Sequence, residues 1–121
     1  PRTILTAAGI ETGKLNLQGR PLQEVDAPDW EEEVYIQISE SFVGRALRTR
    51  RYKYVVYAPE ANPWTESGSP VYQEKYLFDL ERDPLERDNL IAEPGYGAVK
   101  ERLRERIMKL GVKAGEDFCV K

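Results

Sequence analysis

The 121 residues include no histidine, one cysteine and one methionine. Without histidine, the chain cannot supply a Ser-His-Asp or Cys-His nucleophile, a histidine general base or a histidine-ligated metal. Cys119 stands alone, so there is no internal disulfide, and a structural zinc site would need about four Cys or His ligands. No apolar run approaches the roughly 20 residues of a membrane-spanning helix. Repeats and low-complexity tracts are absent. The opening Pro1-Arg2-Thr3-Ile4 lacks an initiator Met and the basic-then-apolar layout of a signal peptide, so the chain is expected to begin mid-sequence. Neither charge dominates: 21 acidic residues face 18 basic ones, a net of −3. Nucleic acids and anionic membranes both select a dominant positive field, and neither is expected as a partner.

What is present is a hydrophobic content of 40%, enough for a modest core in a single domain of this length. The clearest patterns lie between Ala46 and Leu90. Val34 to Ser39 alternates, with Val34, Ile36 and Ile38 on one side and Tyr35, Gln37 and Ser39 on the other, a half-buried strand. Phe42 to Thr49 predicts a second strand, with Gly44 as a bulge or close-approach point. After a turn at Arg50-Arg51, Tyr52 to Tyr57 predicts a third strand of strongly β-prone residues. Tyr76 to Leu80 predicts a fourth, with Tyr76, Phe78 and Leu80 on one face. Asp83-Pro84-Leu85-Glu86 then predicts a capped helical turn. Asp83 would accept backbone N–H groups, Pro84 is pre-set for the first position, and Glu86 would complete a capping box. Leu90 follows as an anchor that folds back.

Pro94 to Leu110 predicts the main helix, because Tyr96, Val99, Leu103, Ile107 and Leu110 recur at three- and four-residue spacing. Glu101 with Arg104 and Glu105 with Lys109 pair along its surface, and Gly111 is expected to stop it. The apolar stripe needs a surface to cover, and the sheet is the one available. The expected architecture is therefore α+β: a four-stranded antiparallel sheet packed against a C-terminal α-helix. The tail, Val112 to Lys121, shows no periodic pattern.

Arg45, Arg48, Arg50, Arg51 and Lys53 bring five bases into one strand-turn-strand segment. They read either as an anion contact or as a charged edge and turn that pairs with carboxylates on neighbouring elements. Ala58 to Gln73, with three prolines and Gly68, reads as a long loop, of a length that is functional or mobile. Trp64 and Tyr72 are its candidates for substrate contact, or else aromatics that pack locally. Gln23 to Glu33 is an acidic linker whose Trp30 is expected to pack on the sheet rather than serve a ligand. Thr3 to Ile10 predicts the last turns of a helix that stops at Gly9, and this N-terminal stretch also reads as a solvated arm.

Arg48-Thr49-x-x-Tyr52-Lys53-Tyr54, followed by Tyr76-Leu77-Phe78-Asp79-Leu80-x-x-Asp83-Pro84-x-Glu86-x-x-Asn89-Leu90, resembles the C-terminal part of the sulfatase family, the arylsulfatase-like sulfuric ester hydrolases. Pro1 to Ile10 is similar to the last helix of that family's large domain. Leu17-Gln18-Gly19-Arg20-Pro21-Leu22 resembles its Gly-Arg-Ser-Leu segment, with proline where serine is usual. The resemblance runs from the first residues to about Leu110. It implies residues 1–33 as an arm from the end of the catalytic domain and 34–121 as the C-terminal subdomain.

Family members use a formylglycine made within a Cys/Ser-x-Pro-Ser-Arg motif and a divalent cation, usually calcium. Neither can be placed here, because Cys119 is followed by Val120 and Lys121. The resemblance thus implies a chain that is not catalytic alone. Formylglycine and calcium, or another divalent cation, would belong to a catalytic domain of the same polypeptide. The chain would complete that fold and border a cleft for a sulfated small molecule or glycan, with Arg45, Trp64 and Tyr72 as substrate contacts. A parent acting on a phosphoester or phosphonate, and a free-standing module that binds an anion or glycan, are the alternatives. Cut from its partner, the chain is expected to self-associate through exposed apolar surface.

Overall fold

A computed structural model describes residues 1–17 and 19–121, so Gln18 of the Leu17–Leu22 segment lies outside the described residues. The chain forms two compact units, Pro1–Glu31 and Glu32–Lys121.

The first unit opens with α1 (Arg2–Ala7), which ends before Gly9 at φ +74°. The Arg2 guanidinium donates to the Leu17 carbonyl at 2.9 Å, and the Leu22 amide donates to the Thr3 hydroxyl oxygen at 3.0 Å. Trp30 lies beneath the Arg20 guanidinium, 5.3 Å from Cζ to the ring centroid.

The second unit is a five-stranded sheet in the order β1-β2-β3-β4-β5: Val34–Ile38, Gly44–Arg48, Tyr52–Tyr57, Val71–Asp79 and Cys119–Val120. The first four strands are antiparallel neighbours in sequence order, as their alternation predicts. A four-stranded antiparallel sheet is nonetheless incomplete. The tail adds β5 parallel to β4, with Val71 opposite Cys119 and Tyr72 opposite Val120. Two residues are too few to show a period, which is why the sequence does not announce this strand.

α2 (Gly97–Lys113) follows a 3₁₀ turn at Pro94–Tyr96. Its Leu103, Ile107 and Leu110 join Leu47, Tyr54, Val56, Tyr72, Leu77 and Phe118 in one core, with Tyr35, Tyr96 and Val99 at its margin. Burying such side chains stabilises by about 1.5–3 kcal/mol each. The two helix-surface pairs form, Glu101–Arg104 at 3.0 Å and Glu105–Lys109 at 3.8 Å.

Three local expectations are corrected, and one point left open is decided. Gly111 does not stop α2. It lies inside the helix, where Phe118 packs so closely that a Cβ would clash with Cε1 of its ring. The Asp83 turn is not a capped helical turn with a capping box. Asp83 accepts from the amides of Arg87 (2.5 Å) and Asp88 (2.8 Å), further along than a cap reaches. Glu86 adopts φ +55° and sends its carboxylate to Lys53 at 2.5 Å and Arg48 at 3.4 Å. β4 also begins at Val71, so Tyr72 belongs to a strand rather than to the loop before it. Finally, α2 packs on the Tyr35 side of β1, so the apolar Val34, Ile36 and Ile38 lie on the other side, 56%, 39% and 38% exposed.

The fold-back after the turn does form. The Asn89 side chain accepts from the Leu77 amide at 3.0 Å and donates to the Lys75 carbonyl at 3.2 Å, and the Leu90 amide reaches the Leu77 carbonyl at 2.8 Å.

Gly111→Ala should therefore destabilise the protein, although alanine favours helix by up to about 1 kcal/mol. Overpacking against Phe118 costs roughly 1–3 kcal/mol, so the urea midpoint should fall. Adding Phe118→Leu should restore part of the loss. An unchanged or raised midpoint for Gly111→Ala would contradict this account of the close approach.

Candidate functional site

Of the three candidate contact residues, the structure buries two and displays one. Arg45 is 2% exposed and Tyr72 1%, whereas Trp64 is 82% exposed.

Arg45 projects from β2 toward the segment that follows α2. A guanidinium has five N–H donors, and four of them are used within the chain. Nε donates to Glu116 Oε2 at 2.7 Å, Nη2 to Glu116 Oε1 at 2.7 Å and to the Ser67 carbonyl at 2.8 Å, and Nη1 to the Gly44 carbonyl at 2.7 Å. The fork-to-carboxylate geometry is the strong form of an ion pair. Glu116 also accepts from the Tyr35 hydroxyl at 2.7 Å and the Gln37 amide at 2.5 Å.

The charges respond accordingly. The hydrogen bonds from Arg45 hold the Glu116 carboxyl below its ordinary range, against the effect of its burial. Burial works against the Arg45 charge, but the carboxylate beside it prevails and raises its pKa. Burial pushes the Tyr35 phenol up, and the Glu116 acceptor adds to the rise.

Tyr72 lies under the same guanidinium, 5.6 Å from Cζ to ring centroid, and packs edge-on against Phe118 at 4.9 Å. Its hydroxyl oxygen accepts from the Ser69 amide at 3.0 Å. Together Arg45 and Tyr72 fasten the far end of the Ala58–Pro70 loop. The near end is fastened by the Ala58 amide, which donates to the Val43 carbonyl at 2.8 Å. In between, Asn62 builds a compact turn. Its side-chain oxygen accepts from the Trp64 amide at 3.0 Å, and its carbonyl accepts from the amides of Thr65 (3.1 Å) and Glu66 (2.9 Å). The loop is held by backbone bonds at both ends while its one indole stands in water.

The five bases of the strand-turn-strand segment each meet a carboxylate: Arg45 with Glu116, Arg48 and Lys53 with Glu86, Arg50 with Glu32, and Arg51 with the fully buried Asp79. This is the charged-edge reading, not a free anion cradle. Glu116 is the site residue that sequence reasoning missed. The available signal was chemical rather than periodic, since a buried arginine requires a carboxylate and Glu116 is one of two acids beyond the helix.

No protein-family model matches the chain. An ulvan-active sulfatase from Formosa agariphila is 32% identical in a match covering 54% of this chain and 16% of its own length. The chain is a sulfatase homologue. The likeness to solved structures is one of fold. A protein solved with its substrate D-glucosamine-2-N,6-O-disulfate matches at TM-score 0.68 and 20% identity, over 92% of this chain and 22% of its own. A 2-O GAG sulfatase matches at TM-score 0.66 and 23% identity, over 93% of this chain and 24% of its own. This sulfatase homologue therefore spans 16–24% of the length of the proteins it matches.

The clamp gives a pH dependence with a definite sign. A carboxyl whose folded pKa is depressed stabilises above its unfolded pKa, and that stability is lost as pH falls through the folded value. Glu116 starts from an ordinary value of 4.5, and Asp79 and Glu33 are lowered by Arg51 and Arg106 in the same direction. Stability should be flat near neutrality and decline below about pH 4.5. Glu116→Gln should cost about 2 kcal/mol at pH 7, because it leaves a buried guanidinium without its counter-charge. It should also flatten the acid limb. Denaturant titrations at pH 7 and pH 3.5 read both effects, and a variant whose acid limb matches the parent chain's would exclude Glu116 as a source.

Proposed function

We propose that this chain is the C-terminal part of a sulfatase-family hydrolase that cleaves sulfate esters, not catalytic alone, completing the fold and bordering the substrate cleft. The observation that carries the reading is the 32% identity to an ulvan-active sulfatase, joined to a sulfatase-like fold over nine-tenths of the chain. The chemistry of the chain agrees. It holds no histidine and no Cys/Ser-x-Pro-Ser-Arg sequence. Among the described residues, no group of three or more His, Cys, Asp or Glu could hold a metal ion. The residues present do not fit calcium or a formylglycine, and both are assigned to a catalytic domain elsewhere in the same polypeptide.

The relatives' names are those of enzymes acting on ulvan, a disulfated glucosamine and a GAG. A sulfated carbohydrate is accordingly the proposed substrate. Trp64 is the residue of this chain suited to touch it, because an exposed indole offers a flat apolar face to a sugar ring. Arg45 and Tyr72 act as positioning residues, holding the loop that carries Trp64 rather than reaching the ligand. Separated from the catalytic domain, the chain would expose apolar surface and self-associate.

Two measurements test this. The reading frame encoding residues upstream of Pro1 should contain a Cys/Ser-x-Pro-Ser-Arg motif, and the full-length product should release inorganic sulfate from a sulfated oligosaccharide. A frame without that motif, or a full-length product that releases no sulfate, would refute the proposal. In that full-length enzyme, Trp64→Ala should raise KM several-fold and leave kcat little changed, the pattern of lost uniform binding. Unchanged KM would remove Trp64 from the substrate site while leaving the enzymatic reading intact.

A further inference from the structure

The loop that carries Trp64 has charge of one sign. Between Lys53 and Lys75 the sequence holds no base, and Glu60 and Glu66 stand on either side of Trp64. Both are exposed, and among the described residues neither carboxylate makes an ion pair or a hydrogen bond. Glu66 is held close to the indole. Its amide and that of Thr65 donate to the Asn62 carbonyl at 2.9 and 3.1 Å, so Trp64 and Glu66 share one turn. Two peptide units set their Cα atoms no more than about 7.6 Å apart, inside the roughly 8 Å screening length of physiological salt.

The cation that reaches this loop does not offset that charge. Arg45 Nη2 donates to the Ser67 carbonyl, but the guanidinium is buried and already bound by the Glu116 carboxylate. A Cβ at Gly68 would stand 3.1 Å from Arg45 Nη2 and 3.6 Å from the Tyr72 hydroxyl oxygen. The loop therefore lies directly on the clamp, with no space for a sulfate between them. The other exposed polar side chains of the loop, Asn62, Thr65 and Ser67, are uncharged.

Each of these groups treats a hydroxyl and a sulfate ester differently. An indole face is the negative side of the ring quadrupole, so it receives the C–H face of a pyranose and repels an anion. An ionised carboxylate can only accept, and a free sugar hydroxyl has a proton to donate to it. A sulfated oxygen has lost that proton and carries a like charge. Sulfation thus removes the donor and adds repulsion, and both changes act against binding.

We propose that the Trp64 loop is a subsite for an uncharged sugar unit adjoining the unit whose sulfate ester is cleaved. Glu66, assisted by Glu60, selects free hydroxyls over sulfated ones at that position. The proposal rests on the proposed function for the carbohydrate substrate and for Trp64 as its contact. The cleaved sulfate finds its cations outside this loop.

The test uses the full-length parent and a set of oligosaccharides that share one cleavable sulfate ester. A second sulfate is placed on each neighbouring unit in turn, and cleavage at the shared ester is followed by chromatography. At one neighbouring position the second sulfate should lower kcat/KM about tenfold, chiefly through KM. Glu66→Gln should recover about threefold of that loss, at that position alone. Glu66→Asp, which keeps the charge, should keep the penalty. Added salt should shrink the penalty more in the parent than in Glu66→Gln. A set with no penalised position, or a penalty identical in Glu66→Gln, would overturn the proposal. Fluorescence without turnover separates it from the enzymatic reading. The part of the indole emission that Trp64→Ala removes should respond to the oligosaccharide with an unsulfated neighbour, and about tenfold more weakly to its sulfated counterpart. That response in a parent that releases no sulfate keeps the subsite and removes the hydrolase. An active parent indifferent to the second sulfate does the reverse.

Discussion

The buried guanidinium of Arg45 is the constraint on which much of the second unit depends. Removing a cation from water costs several kcal/mol unless a carboxylate and further acceptors replace the lost hydration. The chain meets that demand from three separate places: the Glu116 carboxylate beyond α2, the Ser67 carbonyl in the long loop, and the Gly44 carbonyl beside Arg45 itself. Each partner brings its own segment with it. Glu116 draws the tail toward β1, where Tyr35 and Gln37 also donate to it, and Ser67 draws in the loop that carries Trp64. The short β5 then follows as a consequence. Once the tail is held and Phe118 sits on Gly111 and Tyr72, Cys119 and Lys121 can donate backbone bonds to Pro70 and Tyr72.

The parts of this arrangement that repeat were legible in the sequence, and the parts built from single residues were not. Alternation located β1 and β3 closely, because β-branched and aromatic residues dominate them, and β2 lies within the Phe42–Thr49 stretch without any such residue of its own. The 3.6-residue stripe located α2 because Val99, Leu103, Ile107 and Leu110 share one face, while Tyr96 falls in the 3₁₀ turn just before it. β4 was read short at its start, since Gln73, Glu74 and Lys75 interrupt the apolar alternation. They do so for reasons invisible locally: Glu74 accepts from Tyr54 and Arg104, and Lys75 enters an aromatic cluster. Glu86 shows the same limit. Its spacing from Asp83 satisfies a capping box, yet two cations on adjacent strands outbid one backbone N–H for its carboxylate. Gly111 sits where a helix stop belongs, and only the tertiary approach of Phe118 reveals why a side chain is missing there.

Which face of β1 would be buried was also beyond the reach of pattern alone. Periodicity separates two faces without saying which one a helix will cover. α2 packs on the side of Tyr35, not on the apolar side of Val34, Ile36 and Ile38. Tyr35 can join the core because its hydroxyl has the Glu116 carboxylate to donate to, and a buried phenol needs such a partner. The candidate contact residues divide in the same manner. Residue type marks Arg45, Trp64 and Tyr72 as candidates for substrate contact, and packing separates them: two fasten a loop and the third stands exposed on it.

A domain of this kind separates what keeps it folded from what it offers outward. One sheet face, α2 and the Arg45 clamp form the core, in which Arg45, Tyr35 and Glu116 pair with one another and Tyr72 accepts from Ser69. The opposite face keeps Val34, Ile36, Ile38 and Tyr76 partly exposed and the Lys75 ammonium among aromatic rings, and the loop keeps an indole in water. None of these three features helps the isolated unit fold, since exposed apolar area forgoes about 25 cal/mol for every Å² left in water. A sequence under no demand beyond its own stability would have little reason to hold Ile36, Ile38, Tyr76 and Trp64 where they are. The second unit thus keeps its fold in one sheet face, α2 and the Arg45 clamp, and carries Trp64 on a loop that the clamp fastens.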